Sequence, residues 1–548
     1  MPCLPRLRTI VSALGLLAVS GCVTKATGDG VKPTPSAENQ GIAFRDVAKE
    51  AGLDYVWKLT ARPTGNILDM IGNGCGFLDF DNDGNLDILL VGTPPALYKG
   101  DGKGRFEKVP LPPLTGHFQG CATGDFNNDR FTDLYLTAHR GGALLQNNGG
   151  KGFIDVTKTS GVASMPWATA AAFGDLDADG NLDLYIGNYV KFGPETKPQL
   201  CQQKGITTAC APRQYSPEPG FLYKGNGKGQ FRDITKAAGF DRLTGKALGV
   251  AIADYNDSGR LSVSVANDEM AGDLMKNLGN GKFENIAKLA GTATDNDGNY
   301  HGGMGTDWGD VDDDGRLDLL VATYQNEPKN IYHNQGDDLF TDKGDRLGLL
   351  GAVPYVTFGA RFADFDNDGV PDIVLANGHV QDNIEKIDSR TTFLQPTVFY
   401  RGTKSGTATR FTEITESLDK SVTRPIMGRG LAAGDYDNDG RTDLLIVDNQ
   451  GPPLLLHNET KGAGNFIGFS LKTVAGKTPL GATITVKIGD RTLVRHCHTD
   501  GSFMSASDPR VLVGLGPATG ADSVTVRWPG GIEKSWRNLE ANRYHTLE

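Results

Sequence analysis

Short apolar runs recur along the chain and set its period. "LDILLVG" (86–92), "LDLYIGN" (182–188) and "TDLLIVD" (442–448) are brief, partly β-branched and bounded by turn-formers, so they read as buried strands rather than helices. Each follows a crowded acidic string, as in "GDLDADGNLDLYIGN" (174–188). A second set of strings opens on an aromatic residue: Phe44 "FRDVAKEAGL", Phe106 "FEKV", Phe153 "FIDVTKTSGV", Phe231 "FRDITKAAGF", Phe283 "FENIAKLAG", Phe340 "FTDKGDRLGL" and Phe411 "FTEITESL". Turn-formers such as "YKGDGKGRF" and "NLGNGKF" precede most of them; their Gly-Lys pairs lack phosphate-loop spacing and read as hairpin turns. The unit is strand, acidic hairpin, strand, strand, turn, aromatic strand. Seven such units predict an all-β, seven-bladed β-propeller followed by a small C-terminal β-domain. The chain starts with an aromatic strand, 42–47, and its last blade has none after "PLLLHNE" (453–459). The first strand is therefore expected to complete the last blade and remove two exposed edges.

The acidic strings carry the chemistry. Their first aspartates are Asp79, Asp125, Asp175, Asp254, Asp310, Asp364 and Asp435, and carboxylates recur at positions one, three, five and nine with glycine at six. Like charges this close repel unless a cation sits among them, and several oxygens converging from a flexible loop suit calcium better than magnesium. Five hairpins hold four carboxylates: Asp79, Asp81, Asp83, Asp87; Asp175, Asp177, Asp179, Asp183; Asp310, Asp312, Asp314, Asp318; Asp364, Asp366, Asp368, Asp372; and Asp435, Asp437, Asp439, Asp443. The second offers Asp125, Asn127, Asp129 and Asp133, with Arg130 in the glycine position, and is expected to bind more weakly. In the fourth, Ser258 and Ser262 replace two carboxylates after Asp254, which predicts an empty or feeble site. The count is about six calcium sites. An EF-hand is excluded, since position twelve is Leu90, Ile186, Val321, Leu375 or Ile446 rather than glutamate, and a strand rather than a helix follows.

Composition adjusts this picture little. The 548 residues are 22% charged and 38% hydrophobic, ordinary for globular protein, and the formal net charge of −11 argues against a nucleic-acid partner. Most of that acidity lies in the hairpins, and six divalent ions would offset it. Arg6 and Arg8 precede an apolar stretch, Ile10 to Val19, too short to span a bilayer. It ends in "VSGC" (19–22), which resembles a bacterial lipobox and implies a signal peptide over 1–21, cleavage before Cys22 and lipidation of its thiol. Val23 is not the aspartate that retains many lipoproteins in the inner membrane, so the expected place is the cell envelope, at the outer membrane, with the lipid as sole membrane contact. Residues 22–40 are polar, with Pro, Gly and Ser, and read as a tether. Cys201 and Cys210, close together in an insertion, are expected to form a disulfide in an oxidising compartment; whether Cys75 and Cys121 pair is left open, and Cys497 reads as unpaired.

The repeats resemble the FG-GAP or VCBS repeats of integrin-type propellers, whose hairpin cages bind calcium. Beyond residue 462, "NFIGFSLKTV", "GATITVKIG", "GSFMS", "VLVGLG" and "VTVRWPGG" resemble the ASPIC/UnbV domain in order, and "NGHV" (377–380) followed by "QPTVFY" also matches. Over residues 41–548 the chain is similar to bacterial relatives of cartilage acidic protein, with a propeller at 41–462 and an ASPIC/UnbV-like β-domain at 463–548. "KTPLGA" (477–482) departs from the family's Asn-Arg before Gly-Ala. In the tail, Ile484, Val486 and Ile488 alternate with polar residues, and His496 and His498 share a strand face but lack a third ligand, so they read as surface histidines.

Function has to come from sites. Insertions at 188–221 and 377–397 are expected to crowd the face opposite the calcium hairpins and mark a ligand face carrying Trp57, Trp167, Tyr189, Tyr300, His301, His379, Arg424 and Arg429. No nucleophile elbow, HExxH or CxxCH motif occurs, although "HGGMG" (301–305) places a His and a Met near the channel mouth. The reading is a calcium-stabilised, membrane-anchored, extracytoplasmic interaction module for a protein or envelope glycan. The alternative is a calcium-dependent enzyme acting on polysaccharide through the face opposite the hairpins.

Overall fold

The computed structural model describes residues 41–58, 66–193, 200–243, 245–406 and 408–548. The signal peptide, Cys22 and the tether lie outside the described residues. Gly41–Glu548 is one compact unit. Among the described residues of 41–462, pairing gives seven groups of four antiparallel strands. The first is Cys75–Leu78, Asp87–Leu90, Ala96–Gly100 and Phe106–Val109. The last is Gly428–Gly434, Asp443–Asp448, Leu454–Asn458 and, from the start of the chain, Phe44–Asp46. In that closing pair Phe44 faces Asn458 and Asp46 faces Leu456, as the interrupted pattern of aromatic strands requires. First strands touch in sequence around the ring, and Gly428–Gly434 returns to Cys75–Leu78. The second and third groups also share a longer sheet, through Met165 opposite Gly141 and Trp167 opposite His139.

Two regularities hold neighbouring groups together. The residue at hairpin position two packs on the aromatic residue of the next group's outer strand: Phe80 on Phe153, Phe126 on Phe231, Tyr255 on Phe340, Phe365 on Phe44 and Tyr436 on Phe106, with ring centroids 5.1–6.1 Å apart. This explains why position two of an acidic string stays apolar. Where the third strand ends in asparagine, its amide donates to the carbonyl of the preceding group's position two: Asn147 to Phe80, Asn277 to Leu176, Asn334 to Tyr255 and Asn458 to Phe365.

The tail forms two sheets. Val511–Gly516, Asn465–Leu471 and Tyr544–Leu547 make one; Arg491–His496, Thr483–Ile488, Gly520–Arg527 and Glu533–Glu540 make the other. It is not a separate appendage to the ring. After His496 the chain enters the ring's centre and pairs with its inner strands. Ala506 N–H donates to Cys75 O and Phe77 N–H to Ala506 O; Cys121 N–H donates to Met504 O; Ser502 and Thr306 exchange two bonds; Gly501 N–H reaches Val250 O and Asp508 N–H reaches Ala433 O. The Asp500 carboxylate accepts Ile252 N–H, and Arg361 donates to the Asp500 carbonyl. Inner-strand amides that would otherwise face a channel are thus satisfied by protein. Phe503 is fully buried, 4.8 Å edge-on to Phe358, in an apolar cluster with Met304, Trp167 and Tyr189. Gly74 permits the approach, because a Cβ there would stand 1.8 Å from Met504 O.

At the opposite mouth, the short helix Ile67–Ile71, capped by Asn66, packs with Tyr189, Val190, Cys210 and Tyr215 of one insertion and Val380 of the other. The insertions meet: Lys204 Nζ donates to Ile387 O and Asn383 to Thr207 O. Cys201 and Cys210 are bonded, with Cα atoms 5.0 Å apart, whereas Cys75, Cys121 and Cys497 are buried free thiols. Among the described residues, no helix is long and apolar enough to cross a membrane.

Candidate metal centre

The seven hairpins share one backbone scheme. The first aspartate accepts two amides: Asp79 takes the N–H groups of Asp83 and Gly84, Asp175 those of Asp179 and Gly180, and Asp435 those of Asp439 and Gly440. Asp254 does the same with Ser258 and Gly259. The ninth-position carboxylate ties the loop to two strands: Asp87 accepts Phe80 N–H and Gly100 N–H, and Asp183 accepts Leu176 N–H and Gly225 N–H. The fifth accepts from position seven, as Asp83 does from Asn85 and Asp439 from Arg441.

The loop crosses the left-handed region twice. Position six is Gly84, Gly180, Gly315, Gly369 or Gly440 at φ near 85°, as expected. Position four is also left-handed, at Asn82, Asn128, Ala178, Asp313, Asn367 and Asn438, which explains the frequency of asparagine there. Two residues pay for this geometry: Ala178 at φ 58° and Arg130 at φ 76°. Replacing either by glycine is expected to stabilise the chain by about 1 kcal/mol, read as a higher denaturation midpoint.

The donor set fits a divalent cation. In all five four-carboxylate hairpins, Oδ1 of the third-position aspartate (Asp81, Asp177, Asp312, Asp366 and Asp437) is a buried oxygen without a hydrogen-bond partner. Oxygens of Asp79, Asp81 and Asp87, and of Asp175, Asp177 and Asp179, lie within 4.8 Å of one another. Burial, aided by neighbouring carboxylates, pushes the ninth-position carboxyls of Asp87, Asp133, Asp183, Asp318 and Asp443 up to about 8. The same causes raise Asp310 and Asp364 to about 7 and Asp175 and Asp435 to about 6. A cation among them would offset the cost of full ionisation. The second hairpin differs: Asn127 Oδ1 is occupied by Asp129 N–H, so the set there is Asp125, Asp129 and Asp133.

One feature escaped the sequence reading. The residue before the third-strand amide that caps position nine reaches back into the hairpin. Lys99 pairs with Asp81 and Asp83, Lys224 with Asp177 and Asp179, and Arg401 with Asp366 and Asp368. His333 pairs with Asp312 and His457 with Asp443. Where a carboxylate is missing, so is this partner: the second group has Gln146, and Lys276 of the fourth turns to Asp338. The signal was present as the Lys, His or Arg in "YKG", "YHN" and "YRG".

The expected ligand face is largely interior. Trp57, Trp167, Tyr189, His379 and Arg429 are buried. Trp57 donates to Val91 O, Trp167 to the Gln119 side chain and Tyr189 to Asp268, while His379 Nε2 lies 3.2 Å from Tyr324 Oη. Arg429 donates to the carbonyls of Met70, Gly378 and Gly428 and lies 3.9 Å from the Phe358 ring centroid. Trp167 and Tyr189 pack at the closed mouth, and Trp57 packs between the first and last groups. His301 is wedged 3.2 Å from Asp295 and 3.7 Å from Glu327, and Met304 packs in the core beside Phe503. Arg424 stays half-buried against Asp448, and Tyr300 is exposed. His496 and His498 are not surface residues either: their rings stack at 3.8 Å where the chain enters the ring, and His496 lines a cavity of about 130 Å³ with Asp307, Trp308 and Arg361. A second groove, of about 550 Å³, runs between the second and third hairpins and the tail; Trp528, Pro529, the exposed Val474 and Ile532, and Lys477 and Lys534 line it.

Fold and hairpins define a propeller-like protein of FG-GAP-like repeats with a C-terminal ASPIC/UnbV domain. Residues 79–136, 125–186 and 310–375 match the FG-GAP-like repeat, and 475–548 match ASPIC and UnbV. Over most of its length the chain is homologous to cartilage acidic protein 1. It is 23% identical to the Mus musculus protein over 513 residues, covering 86% of this chain and 72% of that one, and 23% identical to the Homo sapiens protein over 516 residues, covering 86% and 71%. Among solved structures, an Agrocybe aegerita lectin that recognises non-reducing terminal N-acetylglucosamine aligns with TM-score 0.41 and 13% identity, over 71% of this chain and 94% of the lectin. The Malassezia sympodialis allergen Mala s 1 aligns with TM-score 0.32 and 12% identity, over 62% and 93%.

Proposed function

We propose that this protein is a calcium-stabilised, extracytoplasmic interaction module, anchored to the cell envelope through a lipid on Cys22 and presenting a rigid ring to a protein or envelope-glycan ligand. The observation that carries the reading is the repeated buried oxygen without a partner at position three of five hairpins, each amid three further carboxylates. Calcium fits this donor set: Asp79, Asp81, Asp83 and Asp87, with their counterparts in the other hairpins, would hold it, and the ion would supply charge neutralisation and a clamp between two strands. Since the channel is filled by Phe503 and Met504 and capped at its other mouth, ligand contact belongs to the outer surface, and the groove beside Trp528 supports that placement.

The polysaccharide-acting enzyme is the second reading. Asp268, raised to about 7 by burial, and Glu327, also raised by burial, both approach Gly302 on the face opposite the hairpins. Incubation of the calcium-loaded protein with a panel of envelope polysaccharides separates these readings. Retention without new reducing ends, weakened about tenfold or more by Trp528→Ala, is the expected result for a glycan ligand. Release of reducing ends that Asp268→Asn abolishes would establish the enzyme. No retention and no release would direct the search to a protein partner, by crosslinking at the cell surface.

A further inference from the structure

The six hairpins with enough carboxylates to hold a cation carry different residues at one equivalent third-strand position: Lys99, Gln146, Lys224, His333, Arg401 and His457. Ammonium and guanidinium groups have no lone pair to donate, so Lys99, Lys224 and Arg401 can only balance charge. An imidazole can ligate. His333 Nε2 lies 2.8 Å from Asp312 Oδ2 and 3.9 Å from Asp314 Oδ2. His457 Nδ1 lies 3.2 Å from Asp443 Oδ1 and 3.7 Å from Asp437 Oδ2. In both groups one nitrogen and two carboxylate oxygens fall within 4.8 Å of one another. Neighbouring ligands on an ion with bonds of about 2.0–2.2 Å stand roughly 3 Å apart or a little more, so small shifts bring these atoms around one centre. Both side chains are largely buried, at 10% and 18% exposure. Asp312 Oδ1 and Asp437 Oδ1 are among the buried oxygens without a partner.

We propose that the hairpins of Asp310 and Asp435 are mixed nitrogen–oxygen sites that take a borderline transition ion such as Zn²⁺ in preference to calcium, with His333 and His457 as ligands. The other four offer oxygen donors only and remain calcium sites. A hard calcium ion gains little from imidazole, whereas first-row divalent ions gain affinity from it in the order that places zinc well above manganese. On binding, the ligating nitrogen gives its proton to solvent. The inference rests on the cation-binding reading of the hairpins, and the test keeps the two apart.

The full chain, purified in detergent and held in excess calcium, is titrated with Zn²⁺ and, as a coloured stand-in, Co²⁺; bound metal is counted after gel filtration and the visible spectrum is recorded. The expected result is about two tightly held Zn²⁺ or Co²⁺ per chain and ligand-field bands that depend on the two histidines. The double variant His333→Lys/His457→Lys copies the side chain of the sibling hairpins. It is expected to bind Zn²⁺ about tenfold more weakly or worse and to lose the Co²⁺ bands, with its unfolding temperature in calcium retained. Equal Zn²⁺ affinity and unchanged Co²⁺ bands in wild type and variant would overturn the proposal while leaving the calcium reading intact. A chain that binds neither calcium nor Zn²⁺ would overturn both.

Discussion

Removing divalent ions with EGTA is expected to lower the unfolding temperature of this protein by about 10 °C or more, and returning calcium to restore it. A ligand held only by the folded state stabilises it by about 2.7 kcal/mol per site at a hundredfold excess over Kd. Six such sites exceed the loss that a chain of 548 residues tolerates without a large shift in midpoint. The mechanism is local: each hairpin joins two strands through carboxylates that burial alone would keep from ionising, as Asp87 and Asp183 show. Asp87→Asn is accordingly expected to remove one calcium from the count measured by equilibrium dialysis and to lower the midpoint in calcium. Asp254→Asn should leave the calcium count unchanged, because Ser258 and Ser262 stand where its hairpin needs carboxylates. Scanning calorimetry with and without EGTA decides the matter; an unchanged midpoint would mean that the carboxylates do not clamp the strands through metal.

The second large effect is expected at the segment that fills the ring. Phe503→Ala should cost about 3–5 kcal/mol, since the side chain is fully buried against Phe358 and its removal leaves a cavity that the surrounding strands cannot close. Gly74→Ala should be at least as damaging, because its Cβ would collide with the carbonyl of Met504 at 1.8 Å. Val474→Ala, at a residue 97% exposed, is the matched control and should lie within about 0.5 kcal/mol of wild type. Chemical denaturation of the three variants in calcium measures these differences. If Phe503→Ala were as stable as the control, the tail would be a passenger on the ring rather than part of its core.

Sequence patterning carried the ring a long way because its information is local. A short apolar strand, a nine-residue acidic loop and a turn each depend on residues adjacent in the chain, and repetition made each weak signal strong. The closing role of Phe44–Asp46 followed from order alone. The acidic hairpins were legible because their carboxylates recur at fixed spacing in the sequence. The expected ligand-face residues failed for the opposite reason. Trp167, Tyr189 and Arg429 were assigned to loops on that face, but Trp167 and Arg429 lie on the inner strands Met165–Gly174 and Gly428–Gly434, and large side chains that converge on a narrow mouth are buried there.

What the sequence by itself determined, then, was the repeat, its strands, its acidic hairpins and the join between the two ends of the ring. The tertiary structure alone decided that "GSFMS" leaves its own domain to fill the ring, that His496 and His498 are interior, and that His333 and His457 face carboxylates while Lys99 and Arg401 do so elsewhere. These contacts join residues far apart in the chain: Ala506 N–H meets Cys75 O, and Ser502 meets Thr306. No periodicity encodes such a meeting. It is fixed by which unpaired backbone groups and apolar side chains remain once the strands have closed, a condition that exists only after the ring has formed.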